Sequence, residues 1–257
     1  MDGRRWRAEP GQTVLEAARE AGIDIPTLCY HAALAPFGGC RVCLVAVTRN
    51  GRRSLLPSCT LEVEEGMIVE TASEDVTRTR QMVLRLLLAR CPGVEPLREL
   101  AARYGVRESA LPEGKDDCIL CGRCVRVCAE LVGVCALAFA RRGMDSAVQM
   151  PYEEPSEACI GCGACAEVCP TGRIRVVDQR GEREIVPFEA RHRLVACPEC
   201  GRGYVTEKQL AFLAGKLNEK SEVLRGCPAC KGRRRAEELR KVYECLSLDR
   251  EEVVDVP

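Results

Sequence analysis

The sequence is poor in aromatic residues and in histidine, and it carries no excess of charge of either sign. Aromatic residues make up 4% of the 257 residues, histidine occurs twice, and 38 Lys and Arg balance 38 Asp and Glu. Binding along nucleic acid or an anionic membrane needs surplus positive charge, so no nucleic-acid partner is predicted. Because histidine, the usual residue of general acid–base catalysis, is nearly absent, no catalytic residue is predicted either.

Long apolar runs and nucleotide-binding motifs are also missing. The longest apolar stretch, Leu131–Ala140, is far shorter than the about 20 residues of a bilayer-spanning helix. No apolar segment follows Arg4 and Arg5, so neither a Sec nor a twin-arginine signal is evident. No G-x-G-x-x-G or Walker sequence opens a strand–turn–helix unit. We expect a cytoplasmic protein without membrane insertion and without its own flavin or nicotinamide site.

Cysteine, in contrast, is abundant, with 19 residues. Disulfide frameworks of such density belong to short secreted chains, whereas reduced cysteines in a cytoplasm most often bind metal. The cysteines form three blocks, and composition shifts between them. The predicted regions are a first domain over residues 1–73, a helical connector over 74–115, a second domain over 116–190 and a C-terminal domain over 191–257.

One cysteine motif, C-x2-C-x2-C-x3-C, occurs twice in the second domain. Three thiolates at two-residue gaps wrap one iron–sulfur cube, and the fourth points to the neighbouring cluster. The repeat therefore predicts two [4Fe–4S] clusters with exchanged ligands, a far better fit than eight structural or zinc-binding cysteines. The predicted ligands are Cys118, Cys121, Cys124 and Cys169 for the first cluster, and Cys159, Cys162, Cys165 and Cys128 for the second.

The first domain carries four further cysteines with the spacing of a single site: Cys29, Cys40, Cys43 and Cys59. The pair Gly38-Gly39 before Cys40 supplies a loop without side chains, as in plant-type [2Fe–2S] sites, although the first gap is longer here. A helix is predicted from the N-cap Thr13, with Glu16 completing a capping box, and strands are predicted over Val42–Thr48 and Met67–Thr71. These elements favour a β-grasp [2Fe–2S] domain over a zinc site.

The residues around these cysteines resemble a known family. Pro26-Thr-Leu-Cys29-Tyr, Gly38-Gly39-Cys40-Arg-Val-Cys43-Leu-Val and Ser58-Cys59-Thr60 are similar to the [2Fe–2S] domain of the large iron–sulfur subunit of respiratory complex I. The same domain occurs in [FeFe]-hydrogenases, NAD-linked formate dehydrogenases and the diaphorase small subunit of NAD-reducing hydrogenases. The first repeated motif, with the following Gly133-Val-Cys-Ala-Leu-Ala-Phe, resembles the ferredoxin insert of that family.

The resemblance spans residues 3–188 and implies a function. It implies an electron-transfer subunit of a cytoplasmic multisubunit NAD(P)-linked oxidoreductase, such as a hydrogenase, formate dehydrogenase, transhydrogenase or electron-bifurcating complex. Its implied partners are a flavoprotein NAD(P)-binding subunit and a terminal redox subunit, in a hetero-oligomer. Two alternatives stay open, an iron–sulfur redox sensor with a zinc ribbon and a free polyferredoxin.

The chain departs from the family in its connector. Many members bind a further cluster through His-x3-Cys-x2-Cys-x5-Cys, but the histidines here are His31 and His192, and the connector has only Cys91. We predict that this cluster is absent and that Cys91 packs at a helix end. The connector is predicted as a helix whose apolar face carries Met82, Val83, Leu86 and Leu87, followed by a second helix over Glu95–Tyr104.

Two features of the central motif remain open. Cys135 lies among apolar residues, which predicts a buried free thiol, with a replacement ligand as the alternative. Arg41, Arg123 and Arg126 adjoin ligands, so their positive charge favours the reduced clusters unless each is simply solvated.

The C-terminal domain has two C-x2-C turns on either side of a predicted helix, Glu207–Leu217. Such turns face each other in closed structural zinc sites, so zinc is favoured, with a third [4Fe–4S] cluster or a single iron as alternatives. The predicted metal ligands are Cys197, Cys200, Cys227 and Cys230. The basic run Lys231–Arg235 is predicted as a solvated helix start or subunit contact, and the tail Asp249–Pro257 as loose. The fold class is therefore α+β, ending in a zinc-ribbon-like domain.

Overall fold

The computed structural model describes residues 1–107, 114 and 117–248, without the side chains of residues 244–248. The chain is a mixture of helices and strands, as predicted, and it divides into two compact units. The first unit contains residues 1–159, 163–176 and 185–189, and the second contains 160–162, 177–184 and 190–257. The predicted boundary at residues 115 and 116, the tail Asp249–Pro257 and the side chain of Cys245 lie outside the described residues.

The first unit begins with a helix and a small antiparallel sheet. Thr13 caps the helix α1, and the Glu16 carboxylate accepts the Thr13 backbone N–H at 2.8 Å, which confirms the predicted capping box. The sheet has the strand order β2-β1-β3, and the apolar residues of α1 and β1 form its core. The elements are α1 (Val14–Glu20), β1 (Leu44–Arg49), β2 (Arg52–Pro57) and β3 (Ile68–Glu70).

The connector forms two helices, α2 (Glu74–Arg90) and α3 (Glu95–Arg103), which confirms the predicted elements. The predicted apolar face of α2 is wrong in part. Met82 and Leu86 are more than half exposed, and the buried stripe runs instead through Val76, Arg80, Leu84 and Leu88. Arg80 takes a core position because its guanidinium donates to the carbonyls of Val42 and Leu44 at 2.9 and 2.8 Å.

The remainder of the first unit consists of short elements around the cysteine motifs. A one-turn helix passes directly into a π-helix, a local widening that is frequent at functional sites. A two-stranded antiparallel pair and a second one-turn helix follow. The elements are α4 (Arg123–Arg126), the π-helix Val127–Val132, β4 (Ala138–Ala140), β5 (Ala147–Gln149) and α5 (Ala164–Glu167).

A four-stranded sheet with the order β6-β7-β8-β9 and three helices complete the described chain. Its strands are β6 (Arg175–Gln179), β7 (Glu182–Val186), β8 (Ala190–Ala196) and β9 (Gly203–Thr206), and the helices are α6 (Glu207–Leu217), α7 (Ser221–Leu224) and α8 (Pro228–Leu248). The helix predicted over Glu207–Leu217 is confirmed. Among the described helices, none combines the length and apolar character required to span a membrane.

Candidate iron–sulfur and metal sites

The four cysteines of the first domain lie together in the protein interior. Cys29, Cys40, Cys43 and Cys59 are each exposed by 5% or less. The sulfurs of Cys43 and Cys59 are 3.3 Å apart, and the Cys40 backbone N–H donates to the Cys29 sulfur at 3.5 Å. Two sequence-distant segments, the loop before β1 and the turn after β2, thus converge on one group of thiols.

The four thiols of this group fall into two pairs, one with lowered and one with raised pKa values. Hydrogen bonds from the neighbouring thiols lower the pKa of Cys29, and a hydrogen bond with Cys59 lowers the pKa of Cys43 to about 6. The same hydrogen bonds raise the pKa of Cys40 and Cys59. Metal ligation requires thiolates, and the group already favours deprotonation of two of its four sulfurs.

Packing and backbone conformation both favour glycine in the loop before Cys40. A Cβ atom on Gly39 would lie 2.5 Å from the Phe37 ring, so no side chain is accommodated there. Gly38 has φ +66°, in the left-handed region that glycine adopts without strain. The pair Gly38-Gly39 therefore forms the loop without side chains that the sequence predicts.

The first repeated motif borders a cavity. The sulfur-bearing residues around it are the four that the sequence assigns to one cluster: Cys118, Cys121, Cys124 and Cys169. Ile119, Val148, Ile174 and Phe188 add apolar side chains to the lining, which also includes Arg173. The structure thus brings Cys169 of the second motif to the three leading cysteines of the first. A sulfur-lined space of this kind fits the exchanged ligand set.

Protonation in this cavity is set by burial and by backbone amides. Burial raises the pKa of Cys121 to about 11 and also raises the pKa values of Cys118 and Cys124. Burial acts in the same sense on Cys169, but hydrogen bonds from the Ile174 backbone N–H and the Thr171 hydroxyl, with further backbone N–H groups, outweigh it and lower the pKa. Cys169 is therefore the thiol of this group that most readily becomes a thiolate.

Arg126 connects the [2Fe–2S] segment to the first repeated motif. Its guanidinium donates to the Cys29 carbonyl at 2.7 Å and to the Ala35 carbonyl, and it lies 5.2 Å from the centre of the Phe37 ring. The Glu130 carboxylate accepts the Ala35 backbone N–H at 2.9 Å. These contacts place both sets of ligand-bearing backbone in one connected network.

Arg123 makes a similar contact, because its guanidinium donates to the Tyr30 carbonyl. The sequence draws attention to Arg123 and Arg126 for their charge alone. Their structural role is hydrogen bonding to the carbonyls of the 29–35 segment, and sequence reasoning missed it because no sequence pattern reports contacts so far apart along the chain. Arg41, the third arginine of that set, is exposed.

The predicted second cluster uses Cys128 from the first motif. The Cys128 sulfur accepts the Ala136 backbone N–H at 3.2 Å, and Cys165 packs against a small apolar cluster that contains Val127 and Val168. Cys135 is exposed, so the prediction of a buried thiol is wrong. Its backbone is left-handed, with φ +51°, and this bend turns Ala136 and Leu137 inward in its place.

The loop that contains Cys162 belongs to the second unit. The Thr206 hydroxyl donates to the Ile160 carbonyl, and Arg183 donates to the Gly161 carbonyl at 3.3 Å. A Cβ atom on Gly161 would lie 2.6 Å from the His192 ring, so this ring occupies the space of a side chain. Among the described residues, His192 Nε2 has no hydrogen-bond partner although His192 is 7% exposed, and burial lowers its pKa.

The four C-terminal cysteines form a compact group of possible metal ligands. The sulfurs of Cys197, Cys200, Cys227 and Cys230 all lie within 4.8 Å of one another, and those of Cys200 and Cys227 are 3.8 Å apart. Backbone N–H groups, led by that of Cys227, lower the pKa of Cys197 to about 6. Burial raises the pKa of Cys230 to about 12, and the Arg233 guanidinium donates to its sulfur at 2.9 Å.

The remaining residues named in the sequence analysis lie in a core, in a turn and at a helix start. Cys91 is fully buried in the core between α2 and α3, as predicted. His31 accepts the Ala33 backbone N–H at 3.2 Å in a turn. The basic run Lys231–Arg235 lies in the first turns of α8, as expected for a helix start, and Arg234 pairs with Glu199 at 2.9 Å.

Known families match both ferredoxin-like regions. Residues 1–74 match the family described as 2Fe-2S iron-sulfur cluster binding domain, and residues 155–172 match the 4Fe-4S binding domain family. A subunit of NADH-quinone oxidoreductase from Rhizobium meliloti (strain 1021) is 35% identical over 230 residues, which are 79% of this chain and 26% of that protein.

Two further similarities come from hydrogenases. NADP-reducing hydrogenase subunit HndD of Solidesulfovibrio fructosivorans is 35% identical over 183 residues, covering 60% of this chain and 31% of that protein. A solved structure of NAD+-reducing [NiFe]-hydrogenase in the H2-reduced state contains a chain with a TM-score of 0.52 and 34% identity, covering 58% of this chain and 73% of that one. The chain spans less than a third of the length of the two curated relatives.

Proposed function

Because the chain belongs to the iron–sulfur protein family that includes the NADH-quinone oxidoreductase relative, hydrogenase subunit HndD and a chain of NAD+-reducing [NiFe]-hydrogenase, we propose that it is an electron-transfer subunit of a multisubunit NAD(P)-linked oxidoreductase. In this proposal the described residues carry electrons and hold no catalytic site. Its partners are a flavoprotein NAD(P)-binding subunit and a terminal redox subunit, in a cytoplasmic hetero-oligomer.

The observation that carries this proposal is the cavity shared by the two repeated motifs. Cys169 reaches the lining that Cys118, Cys121 and Cys124 otherwise form, as exchanged ligation requires. Exchanged ligation makes the two cluster-binding segments neighbours. Arg126 then joins the first of these segments to the backbone of Cys29. In the first unit, the segments that bear the proposed ligands are therefore connected to one another by direct contacts.

The proposed cofactors are one [2Fe–2S] and two [4Fe–4S] clusters. Such clusters, when bound, accept and donate single electrons. The chain supplies the ligands from the buried thiol group of the first domain and from the two motifs. The ligands proposed for the [2Fe–2S] cluster are the best shielded from water, since Cys29, Cys43 and Cys59 are each 1% exposed.

For the four C-terminal cysteines we propose a single zinc ion. Zinc–thiolate bonds of about 2.3 Å in a tetrahedron place the sulfurs about 3.8 Å apart. The Cys200–Cys227 separation of 3.8 Å agrees with that edge. The thiolates of a [4Fe–4S] cluster each bind a different iron at the corners of a cube, which spreads the sulfurs further apart than a group confined within 4.8 Å. A zinc ion is redox-inert, so these residues fold or dock the chain and carry no electrons.

Purification from the source cells under anaerobic conditions tests the proposed function. We expect the chain to co-elute with a flavin-containing partner and its clusters to be reduced by NAD(P)H in that complex, as detected by electron paramagnetic resonance. The isolated chain, the matched control, should be reduced by dithionite and not by NAD(P)H.

Two results would contradict the proposal. A chain that is isolated alone and monomeric, with its clusters loaded, is a free polyferredoxin. A stable, salt-sensitive complex with DNA would instead identify an iron–sulfur redox sensor.

A further inference from the structure

The strands β8 and β9 form a hairpin with a different site at each end. At one end, the turn from Cys197 to Arg202 carries the first two of the four C-terminal cysteines. This turn is closed by hydrogen bonds from the Cys197 N–H to the Arg202 carbonyl at 2.8 Å and from the Gly201 N–H to the Cys197 carbonyl at 2.9 Å. His192, five residues before Cys197, lies about 17 Å away along the extended strand.

At the end of the hairpin that carries the cysteines, Tyr204 of β9 contacts both C-x2-C segments of the four-cysteine group. Its ring packs against the buried sulfur-bearing residues Cys197, Cys227 and Cys230. Its hydroxyl accepts the Gly226 backbone N–H at 2.9 Å, directly before the second pair of cysteines. The position of β9 is therefore coupled to the geometry of the metal ligands.

At the other end, Thr206 lies two residues after Tyr204, on the same side of the strand by the alternation of β-structure. The Thr206 hydroxyl donates to the Ile160 carbonyl and accepts the Gln209 backbone N–H at 3.0 Å, which starts α6. Both Thr206 and His192 pack closely against Gly161. A Cβ atom at that position would lie 2.9 Å from Thr206 and 2.6 Å from His192. The hairpin thus shapes the backbone that presents Cys162.

We propose that the metal bound by the four C-terminal cysteines is a remote support for the second [4Fe–4S] cluster. Tyr204, Thr206 and His192 are the positioning residues that couple the metal site to the Ile160–Cys162 loop. The proposal rests on the proposed function, since it takes Cys162 as a ligand of that cluster. It gives the redox-inert C-terminal region a role in electron transfer.

The packing of the second unit explains why the support depends on metal. Few side chains between residues 190 and 243 are buried, and three of them are the proposed ligands Cys197, Cys227 and Cys230. Within the four-stranded sheet, β9 is an edge strand whose only neighbouring strand is β8. The free energy of metal binding in such small regions is largely folding free energy. Loss of the metal therefore releases β9 and, with it, the loop around Gly161.

The test removes the metal from the full-length chain with the double substitution Cys227→Ser and Cys230→Ser. Iron, sulfide and zinc are measured on anaerobically prepared protein, and each cluster is followed by electron paramagnetic resonance in a redox titration. The variant Cys162→Ser supplies the reference spectrum of a chain without the second cluster. We expect loss of the zinc, together with loss or a shifted potential of the second [4Fe–4S] signal. The [2Fe–2S] and first [4Fe–4S] signals should not change.

Cys135→Ser is the matched control, because it removes an exposed cysteine outside every proposed ligand set. It should leave all signals and the zinc in place. Tyr204→Phe is a milder second variant if the double substitution prevents folding. It keeps the ring and removes the hydrogen bond from Gly226, and a smaller shift confined to the second cluster is expected.

The outcomes separate this inference from the function on which it rests. A parent chain without iron–sulfur clusters contradicts both. A loaded parent whose second-cluster signal is unchanged in the zinc-free variant and in Tyr204→Phe overturns the inference alone. A parent with about 14 iron atoms and no zinc also overturns it, because the four cysteines then hold a cluster.

Discussion

The two repeated motifs share one spacing but are held by different parts of the molecule. The first motif is connected to the [2Fe–2S] segment through Arg123, Arg126 and Glu130. The loop of the second motif is held by Thr206 and Arg183 of the second unit. The shared ligand spacing thus specifies the cluster type. The surrounding contacts determine which residues stabilise each cluster-binding loop.

The third residue of each motif shows this difference most directly. Leu120 and Gly161 occupy equivalent positions between the first two cysteines, and both have a left-handed backbone, with φ +52° and +65°. A side chain is tolerated at position 120 despite the conformational cost. At position 161 the space is already filled by His192 and Thr206. The glycine is therefore required by packing as much as by its dihedral angles.

Substituting each of these residues by the other should have the largest effect on cluster content. Gly161→Leu is expected to abolish the second cluster, because its side chain overlaps the His192 ring, and to remove about four of about ten iron atoms per chain. Leu120→Gly, the reciprocal control, should retain all the iron because it relieves a strained backbone. Iron and sulfide analysis measures both, and a fully loaded Gly161→Leu chain would show that the loop is free to move.

The last cysteine of the first motif, Cys128, and the following Cys135 allow a test of the ligand assignment. Cys128→Ser should eliminate the second [4Fe–4S] signal, since the fourth cysteine of a motif ligates the other cluster. Cys135→Ser should change no signal. Electron paramagnetic resonance of the reduced chains distinguishes the two, and an effect of Cys135→Ser equal to that of Cys128→Ser would identify Cys135 as the replacement ligand.

Arg126→Ala tests the connection of the first motif. Removal of two charge-assisted hydrogen bonds should lower the free energy of unfolding of the first unit by about 2 kcal/mol and make the [2Fe–2S] cluster easier to lose. Arg126→Lys should recover part of the loss. Denaturant titration followed by cluster absorbance provides the measurement. The second cluster serves as the internal control, and its equal loss would contradict separate supports.

Asp178→Asn tests the corresponding support of the second motif. Asp178 orients Arg183 through two hydrogen bonds of 2.8 Å, and Arg183 in turn donates to Gly161. The hydrogen bonds from Arg183 lower the pKa of Asp178. The stability from this contact is therefore complete above the ordinary carboxyl pKa, and it is lost only as the pH falls through the lowered value.

For Asp178→Asn we expect a loss of about 1 kcal/mol, the same from about pH 8 to about pH 5. Denaturant titrations of parent and variant at several pH values measure the difference. A difference that shrinks already between about pH 8 and about pH 6 would show that another group controls the contact.

Local patterns in the sequence predicted much of the fold. The capping box of Thr13 and Glu16, the helix Glu207–Leu217 and the strand within Val42–Thr48 depend on neighbouring residues, and all are found. Cysteine spacing likewise predicted the group that lines the cavity. These signals are available because each is contained within a few turns of chain or in a fixed spacing.

Features that depend on distant contacts were not predictable. Arg80 is 2% exposed because carbonyls of β1 and the loop before it satisfy its guanidinium, and its helical position carries no sign of this. Cys135 is exposed because the backbone bends at that residue. The sequence assigns no role to His192, and its contact with Gly161 joins segments some 30 residues apart in the sequence.

The most direct measurement of the central claim is the content of iron, acid-labile sulfide and zinc per chain, on anaerobically prepared protein. One [2Fe–2S] cluster, two [4Fe–4S] clusters and a zinc ion predict about ten iron, about ten sulfide and about one zinc. That result would confirm three clusters that carry electrons and a redox-inert zinc site in the C-terminal region. About 14 iron with no zinc would contradict the account and extend the electron-transfer path into the C-terminal domain.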